Sequence, residues 1–312
     1  MEFCSPLLKL KNKKTCYTRT DLLFIIKAWN ILYSNKIEIN KTDTTPILIK
    51  KINEKFQNLL NTKVDTYWAW TDIIKTQANK KSNPEIIDKI VKIESKSLRP
   101  SQPPEWGKNP EEWLSNFDII KVLNQYQEIS EFKYKFLGVH SIDFGLKKDD
   151  KCLFSRNCHI NLREILKSNK IKYIGFITNL SKASEPGTHW TSSFFVLDPK
   201  LQSFGGYYYD STVSNIPKDL QPVFKDIKKQ AEEIFKKPFN IYYNNKRHQR
   251  GNNACGLFSI AFQVRWLLLL HKNKNTTTMK EVITHPSFID SKMNILRLKY
   301  FRPNIITIIK HQ

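Results

Sequence analysis

Apolar residues recur at three- and four-residue intervals through the first hundred positions, then give way to short apolar runs separated by polar turns. Leu22, Leu23, Ile25, Ile26 and Trp29 share one helical face, with Thr20 or Asp21 as the candidate cap. The stretches from Ile47 to Leu60 and from Tyr67 to Ile74 keep the same spacing, as do Ile86, Ile87, Ile90, Val91 and Ile93. Residues 99–110, RPSQPPEWGKNP, then place four prolines and a glycine in twelve positions, which neither a helix nor a central strand can carry. The pattern predicts a helical N-terminal domain over residues 1–104 and a second domain over 105–312.

The second part reads differently. Glu111 to Tyr126 is predicted as an amphipathic helix. Lys172 to Thr178 and Thr191 to Leu197 are rich in Ile, Phe and Val and are predicted as strands, with shorter candidates at Gly206 to Tyr209 and Phe239 to Tyr243. Leu220 to Phe235 is a predicted helix, and Cys255 to Leu270 a long apolar one. Strands interleaved with helices, without internal repeats, imply a layered α+β or α/β arrangement.

Composition narrows the classes. In 312 residues, 40% are hydrophobic and 12% aromatic, enough for a sizeable core. No run of 18 apolar residues occurs, and the most apolar stretch, Trp266 to Leu270, is too short to span a bilayer, so no membrane insertion is expected. No charged-then-apolar leader opens the chain, so the protein is expected to stay in the cytosol of the cell that makes it or to be packaged from there. The net charge is +22. The excess is spread along the chain, with 19 basic and 10 acidic residues in the first hundred and 32 and 19 afterwards. That even spread, with much Lys, Asn and Ile, favours a coding bias over a nucleic-acid interface and leaves weak non-specific nucleic-acid attraction as a side effect. The five cysteines, Cys4, Cys16, Cys152, Cys158 and Cys255, are odd in number and irregularly spaced, so a disulfide framework is not expected. Cys152, Cys158 and His159 lack the paired spacing of a metal site, and no metal or cofactor is expected.

Four polar residues carry candidate chemistry. Cys255, followed by Gly256 and a continuous apolar stretch, sits at the first turn of a buried helix, where free N–H groups and the helix dipole favour a thiolate. Gly256 would let a substrate backbone come close. His189, at the start of a strand, can act as base and then acid. Asp210 ends the short aromatic strand and can fix the tautomer of a histidine. Gln249, six residues before Cys255, can donate to an oxyanion together with the Cys255 amide. Taken singly, each has an ordinary reading: a core cysteine, a strand-edge histidine, a turn aspartate, a loop glutamine.

Their joint order is more specific. His189-Trp190, Asp210-Ser211 and Gln249-x5-Cys255-Gly256 resemble the ubiquitin-like-protein proteases and adenoviral proteases of one cysteine-protease clan. Papain-type enzymes place Cys before His and do not fit. Residues 112–123, EWLSNFDIIKVL, look like the helix that opens the catalytic domain in that clan. The resemblance implies that Trp113 and Trp190 clamp a Gly-Gly segment of the substrate, a slot between indoles that only side-chain-free residues thread. Within the clan, GTHW, the Tyr-x-Asp-Ser turn and RHQRGNNACG (247–256) are similar to the polyprotein-processing proteases of African swine fever virus and related large DNA viruses. Two features depart from that pattern: Asp210 stands where the asfarvirus enzyme has Asn, and the region from Cys152 to Ile165 has no clear counterpart.

The resemblance implies an α+β, papain-clan fold: a central mixed sheet flanked by helices, the nucleophile at the N-terminus of a buried helix, and a helical N-terminal domain. It implies a cofactor-free cysteine endopeptidase whose partner is a viral polyprotein cut at Gly-Gly-x sites, located in the virion and the cytoplasmic viral factory. Two alternatives stay open at this point: an isopeptidase removing SUMO or ubiquitin from host proteins, and a catalytically silent basic virion protein. The sequence gives no oligomeric state.

Overall fold

The structure is a computed structural model that describes residues 2–10, 15–63, 65–109, 111–149, 151–153, 158–168, 170–272 and 277–304. The chain divides into two compact units, Met1–Pro110 with Leu298–Gln312, and Glu111–Arg297.

The first unit is built on helices α1 (Arg19–Leu32), α2 (Thr45–Leu60), α3 (Trp70–Lys80) and α4 (Pro84–Ser97). Helix α1 is capped by Thr18, ahead of the two expected candidates; Asp21 is the third helical residue and closes a reciprocal capping box with Thr18. Trp29, Phe56 and Trp70 form an aromatic centre, with ring centroids 4.7 and 5.8 Å apart along the chain of contacts. Arg302, fully buried, returns from the C-terminal end into this unit. It donates to the Trp68 carbonyl at 3.0 Å and pairs with Asp72 and Glu94. A division at 104/105 therefore leaves the C-terminal segment on the other side of the boundary from the helices it packs with. A lone arginine so close to the end of a chain gives no periodicity from which to read that return.

The second unit holds a five-stranded mixed sheet of β1 (Tyr134–Ser141), β2 (Tyr173–Asn179), β3 (Trp190–Val196), β4 (Gly205–Tyr209) and β5 (Asn240–Tyr243), in spatial order β1-β2-β3-β4-β5. The two central pairings, β2 with β3 and β3 with β4, are antiparallel, and both outer pairings are parallel. Strand β1 bulges between Phe136 and Val139, where Gly138 takes a φ of +99°. Helices α5 (Asn116–Gln127), α6 (Gln221–Phe235) and α7 (Cys255–Lys272) flank the sheet. Because side chains alternate along a strand, Phe195 and Tyr208 meet Phe224 of α6, while Phe194, Tyr207 and Tyr209 meet Trp266 and Phe262 of α7. The result is the expected α+β layer fold, with α7 buried around nearly its whole girth in its first three turns.

Two expectations change and one strand is new. The helix predicted from Glu111 starts at Asn116, because Ser115 and Asp118 form a capping box and stop it there, so Trp113 and Leu114 precede the helix. Strand β1 had no expectation, since its YKFLGVHS mixes charge, glycine and aromatics at both parities. The cysteines also pair: Cys4 with Cys16 and Cys152 with Cys158, across Cα separations of 5.0 and 5.4 Å, leaving Cys255 as the free thiol. Both bridges close short local loops, twelve and six residues apart, and the irregular spacing hid the pairs.

Polar side chains seat α7 on the sheet: the Ser259 hydroxyl donates to the Trp190 carbonyl at 3.1 Å, and Gln263 reaches two strands. Gln263, fully buried, accepts from the Tyr134 hydroxyl through Oε1 and donates through Nε2 to the carbonyls of Phe176 (3.0 Å) and Ser193 (3.4 Å). Gly175 makes room for it: a Cβ there would stand 2.5 Å from Gln263 Oε1. Replacing Gln263 with Leu strands a buried hydroxyl, and the expected loss is about 1–3 kcal/mol of stability, read as a lowered urea midpoint with an unchanged m-value.

Candidate active site

Strand β3 begins beside residue 189, strand β4 ends at residue 209, and α7 opens with residue 255, so the sheet order delivers His189, Asp210 and Cys255 to one end of the same layer. Ser192 pairs with Tyr209 across β3 and β4, which sets His189 and Asp210 a few residues beyond a common register point. Imidazole Nε2 lies 2.8 Å from Asp210 Oδ1. The Cys255 thiol is the other group that acts on the ring, and like Asp210 it raises the imidazole above its ordinary value. With Nε2 committed to the carboxylate, Nδ1 is the nitrogen left for sulfur.

Asp210 is 1% exposed and could not remain ionised there unaided. Besides His189, it accepts from the Thr212 amide and hydroxyl, both at 2.8 Å to Oδ1, and from the Ser214 hydroxyl at 2.5 Å to Oδ2. Burial pushes its carboxyl up, but the hydrogen bonds from His189 and Ser214, the imidazolium charge and the Thr212 amide outweigh it and hold the group at about 2. Burial pulls His189 down, and the hydrogen bonds and charges of Asp210 and Cys255 more than reverse that, raising it to about 9. The turn that presents these donors is tight enough to force Val213, a β-branched residue, to a φ of +68°. Such strain costs about 1–3 kcal/mol, offset here by four donors converging on one carboxylate.

The backbone of Asp210 is gripped as well. Asn244 accepts from its amide at 2.9 Å and donates to its carbonyl at 2.7 Å. Sequence reasoning missed Asn244, Thr212 and Ser214; the run of short hydroxyl residues after Asp210 was the available signal.

Gln249 is buried, 1% exposed, and makes four hydrogen bonds: its backbone amide donates to the Ser211 carbonyl (2.9 Å), its backbone carbonyl accepts from Arg247 Nε (2.9 Å), its Oε1 accepts from the Ser211 hydroxyl (2.7 Å), and its Nε2 donates to the Gly251 carbonyl (2.9 Å). The loop it sits on leads into Cys255 and is tied down by Asp290, which accepts from the Arg250 and Gly251 amides at 2.6 and 3.0 Å, and by Glu111, which accepts from Asn253 at 2.9 Å.

Trp190 is half-buried and its indole N–H donates to the Leu114 carbonyl at 2.9 Å, one residue from Trp113, whose own ring is 41% exposed. Gly256 is buried, and a Cβ on it would press to 3.0 Å on the Leu114 side chain, so its missing side chain admits Leu114 against the first turn of α7. Among the described residues no group of three metal-ligating side chains is present, and no helix is long and apolar enough to cross a membrane.

No family model matches the chain. Over 279 residues it is 26% identical to a protein of Acanthamoeba polyphaga mimivirus named as a thiol protease, spanning 86% of this chain and 85% of that one. It is 20% identical over 161 residues to the cysteine protease of African swine fever virus, covering 48% of this chain and 56% of the relative. The crystal structure of that African swine fever virus protease superposes with a TM-score of 0.63 at 16% identity, over 96% of both chains. The chain is a thiol protease, and the order of its site residues resembles the adenain and ubiquitin-like-protein protease clan. The chain is of the viral type represented by the African swine fever virus enzyme, whose fold it shares.

The two shifted groups fix how stability follows pH. His189, raised from 6.5 to about 9, contributes stability that is complete below 6.5 and is lost as pH climbs through 9. Asp210, lowered from 3.8 to about 2, contributes stability that is complete above 3.8 and is lost as pH falls through 2. The stability gap between the wild type and Asp210→Asn is therefore expected to be widest between pH 3.8 and 6.5 and to shrink toward pH 9. Urea titrations across that range measure it; a gap independent of pH would contradict the ion pair.

Proposed function

We propose that the protein is an endopeptidase that cleaves after Gly-Gly-type sequences and matures viral structural polyproteins, working in the virion and the cytoplasmic viral factory. The observation that carries the reading is the His189 imidazole, held 2.8 Å from a buried carboxylate and raised by the charge of both Asp210 and the free Cys255 thiol.

The chemistry follows from that contact. His189 takes the Cys255 proton, the thiolate attacks the scissile carbonyl, and the negative charge moves to the carbonyl oxygen. The Cys255 amide, unpartnered in the first turn of its helix by geometry, and the Gln249 carboxamide stabilise that oxygen. As the C–N bond breaks, His189 returns its proton to the leaving amine. Water, deprotonated by the same imidazole, then attacks the thioester and releases the carboxylic acid with the thiol restored. Asp210 keeps the ring oriented throughout. No step draws on a metal or an organic cofactor.

The substrate reading rests on the two indoles. The hydrogen bond from Trp190 to Leu114 fixes one ring and ties it to the chain that carries the other. A peptide passing between them is restricted to residues without side chains. The single Gly-Gly pair in the chain, Gly205-Gly206, is buried inside β4, so the folded enzyme does not offer its own site. Both relatives named as thiol or cysteine proteases are viral, which favours a viral substrate.

The test is cleavage of peptides ending in Gly-Gly before the scissile bond, followed by mass spectrometry. The wild type is expected to cut them, Cys255→Ala to lose at least about 10³-fold in kcat, and peptides with Val in place of the second Gly to resist. Full activity in Cys255→Ala would remove the scheme. Labelling of Cys255 by a ubiquitin or SUMO vinyl sulfone, without peptide cleavage, would point to the isopeptidase instead.

A further inference from the structure

The residue after Asp210 takes no part in the scheme above, yet it makes more contacts with Gln249 than any other residue. Ser211 is 1% exposed. Its carbonyl accepts from the amides of His248 and Gln249, both at 2.9 Å, and its hydroxyl donates to Gln249 Oε1 at 2.7 Å. On the far side of the same carboxamide, Nε2 donates to the Gly251 carbonyl.

A carboxamide has one oxygen acceptor and two N–H donors. Here the oxygen is taken by Ser211 and one N–H by Gly251. The second Nε2 hydrogen has no acceptor among the described residues. A buried donor left over in this way costs free energy unless something else in the working cycle uses it. The orientation is also defined. A flipped amide would set Gln249 Oε1 against the Gly251 carbonyl oxygen, two acceptors face to face. We infer that Ser211 is a positioning residue for the reaction, holding the Gln249 carboxamide so that one N–H stays available to the oxyanion.

This deepens the proposed function and rests on the role given there to Gln249. It also makes the two-residue turn 210–211 a shared support: Asp210 orients the imidazole and Ser211 orients the oxyanion donor. Asn244, which grips the Asp210 backbone from both sides, would then fix both at once. Because the Ser211 carbonyl keeps its two amide partners in any substitution, and Asp290 holds the Arg250 and Gly251 amides, Ser211→Ala removes one hydroxyl and leaves the loop backbone tethered.

The experiment is a double-mutant cycle with Ser211→Ala and Gln249→Ala, read by kcat and KM on a Gly-Gly peptide, alongside alkylation of Cys255 by iodoacetamide. Alkylation displaces iodide and forms no oxyanion, so it reports only the thiol and imidazole. Ser211→Ala is expected to lower kcat by roughly tenfold or more, up to the about 10²–10³-fold of an oxyanion donor removed outright, with KM and the alkylation rate unchanged. In the Gln249→Ala background the same change should cost nothing further. A wild-type kcat in Ser211→Ala, a parallel fall in alkylation, or a full penalty in the Gln249→Ala background would each overturn the inference. A second measurement does not need the peptide substrate: the Gln249 side-chain amide in a ¹⁵N-labelled protein. Two resolved, slowly exchanging proton signals are expected in the wild type, and loss of that protection in Ser211→Ala. Unchanged protection would overturn the inference even if the Gly-Gly peptide is not a substrate, a failure that would count against the proposed function alone.

Discussion

A carboxylate sealed from water is the constraint on which this structure depends. Asp210 is almost wholly buried, and an unpaired anion there would neutralise itself or unfold its surroundings. It stays ionised because four donors meet it: the Thr212 amide and hydroxyl and the Ser214 hydroxyl from the following turn, and His189 from just ahead of β3. Those donors require a turn tight enough to hold Val213 in the left-handed region, and that turn in turn needs β4 to end where it does. The register of β3 on β4 then leaves His189 facing the carboxylate.

The third participant arrives from the other direction. Helix α7 packs its Phe262 and Trp266 on the aromatic face of β3 and β4, and Gln263 fixes its position along the sheet through carbonyls of β2 and β3. Its first turn is closed by Leu114 against Gly256. Leu114 in its turn receives the Trp190 indole N–H through its carbonyl. The same residue therefore braces the helix that carries the thiol and the tryptophan that follows the histidine. That double duty explains why α5 begins at Asn116: an earlier start would engage the Leu114 carbonyl in the helix and take it from Trp190.

Much of this was legible in the residues and some was not, for identifiable reasons. Cys255, His189 and Asp210 could be picked out because their order in the chain is distinctive and because an apolar stretch after a cysteine has few readings other than a buried helix. The helices of the first unit and strands β2 to β5 followed from period and composition. Strand β1 was hidden by its Lys, Gly and His residues, which sit at an edge of the sheet where burial is incomplete. The start of α5 was misplaced because periodicity continues through Trp113 and only the Ser115–Asp118 box marks the stop. The disulfides and the return of Arg302 to the first unit are long-range or irregular facts that no local pattern encodes.

The choice of a carboxylate at position 210, where a neutral amide would satisfy the same geometry, has a chemical consequence. An amide oxygen could accept from His189 Nε2 and fix the ring equally well, but it would contribute no charge. The Asp210 anion raises His189 to about 9, so the ring readily takes the Cys255 proton and holds it as an imidazolium beside the sulfur. The imidazolium formed in this way stands ready as the acid that the leaving amine requires. Thr212 and Ser214 contribute by keeping the carboxylate from taking the proton back: with its oxygens saturated by donors, the charge separation between residues 189 and 210 survives burial. The polar turn after β4 is thus as much a part of the electrostatics of the site as the three residues that the order of the chain makes visible.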